Sequence, residues 1–69
     1  MSNALRTVRE KRLLTRAELA LATRSNGGGG VSVSTIQRLE TGGDYALKST
    51  IRSLAAALEV SPQDLGLRM

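Results

Sequence analysis

Apolar positions recur at helical spacing along most of this chain. Leu5 and Val8 stand three residues apart while Arg6, Arg9 and Arg12 fall on other faces. That spacing predicts a first helix from about Ala4 to Arg12, with Ser2 or Asn3 as its cap. Leu13 and Leu14 then read as a buried connector. Thr15 precedes Glu18 by three residues in Thr-Arg-Ala-Glu. This is the pattern of a capping box, in which each side chain satisfies a backbone N–H of the other's turn. A second helix should cover about 16–24, with Leu19, Ala20 and Thr23 as its inner stripe.

Ser25 to Gly30 interrupts the pattern, because four consecutive glycines cannot continue a helix cheaply; each costs roughly 1 kcal/mol relative to Ala. A glycine-rich turn over 25–31 is expected. Ser32 or Ser34 can then cap a third helix over about 33–40, with Ile36 and Leu39 facing inward. Thr41-Gly42-Gly43 should end it through a left-handed cap. After Asp44 and Tyr45, Ile51, Leu54, Ala55 and Leu58 mark a fourth helix over about Ser49–Leu58. Ser61-Pro62-Gln63-Asp64 opens a short fifth helix that stops near Gly66: a capping Ser, Pro at the first position and an acid in the first turn. No strand and no internal repeat is predicted. Val31-Ser32-Val33 alternates, but over too few residues.

Composition narrows the chemistry. The 69 residues leave room for one small domain spanning 1–69. The absence of Cys removes disulfides and thiolate metal sites. The absence of His removes the commonest general base and metal ligand. Six scattered carboxylates form no recognisable constellation, so an enzyme is not expected, nor is a cofactor, a metal or a small-molecule ligand. Tyr45 is the one aromatic residue, which leaves little on which to stack single-stranded bases. Ten Lys/Arg against six Asp/Glu give +4, and such a basic excess favours a polyanionic partner, nucleic acid before anionic membrane. No apolar run approaches the ~18 residues of a membrane span. No signal-peptide apolar region opens the chain, so the cytoplasm is the expected location.

Two short neighbouring helices joined by a glycine turn suggest a helix-turn-helix. The residues themselves say more. Leu5-Arg6-Thr7-Val8-Arg9-Glu10 and Leu14-Thr15-Arg16-Ala17-Glu18-Leu19-Ala20 resemble the opening of the Cro/repressor-type (XRE) helix-turn-helix family. Gly30-Val31-Ser32-Val33-Ser34-Thr35-Ile36 is similar to that family's turn and the start of its recognition helix. Arg38-Leu39-Glu40-Thr41-Gly42 resembles the end of that helix, and Leu54 to Ser61 the fourth helix and the step into the fifth. The likeness runs from Leu5 to Leu65 in one order and register.

The resemblance implies an all-α, compact five-helix domain that binds duplex DNA. The second helix would lie across the phosphate backbone and the third in the major groove, N-terminal residues first. Ser32, Val33, Ser34, Gln37 and Arg38 would then lie nearest the base edges, with Thr35 beside them. Arg38 suits guanine O6 and N7, Gln37 suits adenine, and Val33 suits a thymine methyl. Arg16 stands where the family often has Gln pointed at a phosphate. Lys48, Thr15 and the Gly43 backbone are further phosphate candidates. Arg9 and Glu40 match a family pair that joins the first and third helices, and are expected to be structural.

The chain departs from the family at the turn, where about six residues are added between Thr23 and Gly30. Lengthening a loop from ~4 to ~10 residues costs only about 0.8 kcal/mol in closure entropy. The insertion is either a neutral surface loop, a phosphate-binding loop with Arg24 beside it, or a change of the groove-facing surface that alters or abolishes DNA binding. The leading expectation is a sequence-specific duplex-DNA-binding transcriptional regulator. Its alternative is a protein-interaction module, antitoxin-like or an assembly partner, that keeps the fold without DNA binding. A homodimer would double the base contacts, and Leu65, Leu67 and Met69 either mediate it or close the core.

Overall fold

The computed structural model describes residues 4–25, 30–43 and 45–68. Four α-helices follow one another: α1 (Leu5–Lys11), α2 (Arg16–Ser25), α3 (Val33–Thr41) and α4 (Lys48–Leu58). The predicted fifth helix is a single 3-10 turn, Pro62–Leu65. Its start signal works, since the Asp64 carboxylate accepts the Ser61 N–H at 3.1 Å. Gly66 then enters the left-handed region at φ 66° and stops the turn after four residues.

The helices form as the apolar spacing dictates. Thr15 and Glu18 cap α2 reciprocally: Glu18 N–H donates to Thr15 Oγ1 at 3.1 Å, and Thr15 N–H to Glu18 Oε1 at 2.8 Å. Ser32 caps α3 by accepting the Thr35 N–H at 3.1 Å. Leu5, Leu19, Ile36, Leu39, Leu54, Leu58 and Leu65 make one fully buried cluster, one or two residues from each element. α2 lies against both α3 and α4, α4 carries the 3-10 turn, and α1 closes over α3. Two backbone contacts fasten the ends of the described chain: Ala4 N–H to Leu65 O at 3.0 Å, and Ala46 N–H to Arg68 O at 2.8 Å.

Two local expectations are corrected. Leu13 is not buried; its side chain is 88% exposed, and only Leu14 packs on the core. The cause is backbone geometry. Just past the end of α1, Leu13 stands at φ 59°, where Leu13 N–H donates to Glu10 O and Leu14 N–H to Arg9 O. That left-handed step turns Leu13 out to solvent in a position normally given to glycine. The end of α3 uses no left-handed residue, because Gly42 is extended at φ 174°. Instead, the Arg38 carbonyl accepts both Gly42 N–H and Gly43 N–H, at 3.2 and 2.9 Å. Of the two roles open to Leu65 and Leu67, Leu65 takes the one in the core, being fully buried, and Leu67 is partly buried against it. Met69 lies outside the described residues, as do Asp44, Asn26 to Gly29 of the glycine-rich stretch, and Ser2 and Asn3; the residue that stands at the cap of α1 is Ala4.

Candidate nucleic-acid interface

α3 has two opposed sides. Ile36, Leu39 and Glu40 are buried, while Ser34, Gln37, Arg38 and Thr41 are exposed. The exposed residues fall at i, i+3, i+4 and i+7, so they share one line on the helix. Val33, 40% exposed, and the exposed Ser32 stand at its leading end, and Thr35 is half-buried on its flank. Thr41 was not singled out from the sequence; the recurrence of polar residues from Ser34 onward is the signal that includes it. Its hydroxyl donates to Gln37 O at 2.8 Å. Ser32 and Thr35 also touch through their hydroxyls at 3.0 Å, so both are partly occupied by the cap. The Arg38 side chain lies across Gly43, where a Cβ would come within 3.1 Å of Nη1, and Nη1 makes a long contact of 3.4 Å with Tyr45 O. The exposed Lys48 is the first residue of α4.

The inner side of α3 is anchored by charge as well as by apolar packing. Arg9 grips Glu40 with two donors, Nε to Oε2 at 2.6 Å and Nη2 to Oε1 at 3.0 Å. Its Nη1 donates to Leu14 O at 2.7 Å. The expected pairing of Arg9 with Glu40 is therefore present. Sequence spacing did not reveal that Arg16 joins it, with Nε donating to Glu40 Oε1 at 3.1 Å. The Glu40 side chain is 0% exposed. Burial pushes its carboxyl up, but the hydrogen bonds from Arg9 and Arg16 and their charges overcome this and hold it below the usual carboxylate range. The hydrogen bond to Glu40, against the penalty of burial, raises Arg9 in turn. Two cations on one anion leave the group with a net +1. Arg16, 34% exposed, is the member of the group that reaches solvent.

Thr23 fixes the base of the lengthened turn. Its buried hydroxyl donates to Ala20 O at 2.6 Å and accepts the Val31 N–H at 2.9 Å. The two chain segments flanking the insertion are thus joined directly, which answers how α3 keeps its place beside α2. Thr23 was legible as a member of the inner stripe, but not as this bridge. Other basic residues are engaged away from α3. Arg6 pairs with Glu10 at 3.2 Å, and Arg12 with Glu59 at 3.7 Å.

This is a helix-turn-helix arrangement: a capped α2, a joined turn, and an α3 with one side locked and the other open. A family model described as a helix-turn-helix domain matches residues 1–66. The chain belongs to the XRE-type helix-turn-helix family. Proteins of this family are DNA-binding transcriptional regulators and not enzymes. No curated protein and no solved structure matches the chain. Among the described residues, no group of His, Cys, Asp and Glu could hold a metal ion, and no helix is long and apolar enough to cross a membrane.

Proposed function

We propose that this helix-turn-helix protein is a sequence-specific regulator that reads duplex DNA with α3 laid in the major groove. The observation that carries the proposal is the exposed line Ser34, Gln37, Arg38 on a helix whose opposite side is buried and ion-paired. Arg38 and Gln37 bring two-pronged donors or donor–acceptor pairs suited to guanine and adenine edges. Val33 meets a thymine methyl, and the Ser32, Ser34 and Thr35 hydroxyls serve bases or phosphates. Arg16 contacts a phosphate from the first position of α2. Glu40 supports this role, since it holds the Arg16 side chain in place while the cluster keeps an unneutralised positive charge. Lys48 adds a phosphate contact from the far end of α3, whereas the Gly43 N–H is taken by the Arg38 carbonyl and is not offered to a phosphate.

Phosphate contacts dominate affinity in such a complex, so binding falls steeply with salt. One domain this small reaches few base pairs. Two copies bound as a homodimer would read half-sites about one helical turn apart. Selection of bound sequences from a random duplex pool tests the proposal. It should return a defined motif, in two related halves where the protein pairs. Recovery of no motif, together with no salt-sensitive binding of any duplex, would leave a protein-interaction module as the better reading.

A further inference from the structure

A groove of about 430 Å³ lies between α2 and the approach to α3, and it shares only Ser32 and Val33 with the interface described above. Ala17, Leu21 and Arg24 line it from α2, and Gly30, Ser32 and Val33 from the other side. Leu21 is 63% exposed there. The Arg24 stem lies directly on Gly30, where a Cβ would come to 2.5 Å from Arg24 Cγ and 3.3 Å from Cδ. The missing side chain of Gly30 leaves room for this close approach. Arg24 is exposed, and among the described residues no carboxylate pairs with it. It shares the groove with Ser32 and Val33 at the start of α3. Arg24 lies in the last turn of α2, whose carbonyl end favours a cation, so its charge is kept at the rim of the groove without a carboxylate.

The groove thus combines an apolar lining with an unneutralised cation on a chain of net charge +4. It is continuous with the α3 face, because Ser32 and Val33 belong to both. The occupant with matching chemistry is a nucleotide backbone, apolar at its deoxyribose and anionic at its phosphate. We infer that this groove seats a stretch of DNA sugar–phosphate backbone, with a sugar against Leu21 and a phosphate on Arg24. Arg24 belongs to the last turn of α2, so the DNA interface extends along α2. This inference rests on the DNA-binding reading above.

The test uses the full chain and a random-sequence duplex of about 30 base pairs, enough for nonspecific phosphate contacts. Anisotropy titrations over a salt series compare wild type with R24M, G30A and K11M. Lys11 is an exposed cation on α1, so K11M controls for loss of one charge. R24M is expected to lose about one phosphate contact, lowering the slope of log K against log salt by about 0.9 and the affinity about fivefold near 0.1 M salt. G30A, which keeps the charge but displaces the Arg24 stem, should weaken binding in the same direction. R24M should melt with wild type. An R24M titration that coincides with K11M would overturn the groove assignment while leaving DNA binding intact. Wild-type protein that binds no duplex in a salt-dependent way would overturn both readings.

Discussion

The two sides of α3 use similar residues for opposite ends. On the inner side, Glu40 is fully buried and takes three hydrogen bonds from Arg9 and Arg16. On the outer side, Gln37 and Arg38 are exposed, and their polar groups have few or long contacts within the chain. A buried charge that loses its partners is costly, whereas an exposed polar group loses little by being replaced. The inner side therefore carries the energy that fixes the helix, and the outer side is left free to choose a partner. A residue's place on the helix, more than its type, decides which task it performs.

The largest effect should come from breaking the buried ion cluster. Glu40→Ala leaves two guanidinium groups without their anion, and should cost about 3–5 kcal/mol in chemical denaturation. The double variant with Arg9→Ala should cost clearly less than the sum of the two single changes; additive costs would mean that the pair does not act as a unit. Acid should reproduce part of this loss. The Glu40 carboxyl titrates below its ordinary value of 4.5 in the folded protein. The unfolded chain therefore binds its proton first as pH falls. The stabilisation is complete above the ordinary value and disappears as pH drops through the lower, folded one. A Glu40→Gln variant should lack this component of the acid-unfolding profile.

Thr23→Val comes next. It keeps the shape but leaves the buried Val31 N–H without its acceptor, and should cost about 1–3 kcal/mol. An unchanged midpoint would mean that the base of the turn is held by apolar packing alone. Leu13→Gly should act in the opposite direction and stabilise by about 1 kcal/mol, because it relieves a left-handed Leu whose side chain touches little. Thermal melts read both signs. The smallest effects on stability belong to the outer side: Ser34→Ala and Gln37→Ala should stay within about 0.5 kcal/mol of wild type. A large loss at either would erase the contrast between the two sides.

Much of this architecture was legible from the sequence. The capping box of Thr15 and Glu18 fixed where α2 begins, and the stripes through Ile36, Leu39, Ile51 and Leu54 chose the buried faces. The features that escaped depend on distance in the chain or on backbone conformation. Arg16 and Glu40 are 24 residues apart, and no local pattern links them. The Arg9–Glu40 pair came with the family resemblance, not with spacing. Leu13 looked buried because it stands beside another leucine, yet one left-handed residue reverses its direction. Pro62 announced a helix, but Gly66 confined it to a single turn. The exposed line of α3 was foreseen in its members, Ser34, Gln37 and Arg38, apart from Thr41 at its end.

The proposed reading of base edges by the outer side of α3 rests most on Arg38. The decisive measurement compares wild type and Arg38→Ala on a panel of duplexes carrying every single-base change in a selected site. The expected result is that Arg38→Ala melts with wild type but loses discrimination at one base-pair position, by about 1–3 kcal/mol, and keeps its preferences elsewhere. An Arg38→Ala protein with an unaltered pattern of base preference would contradict the account.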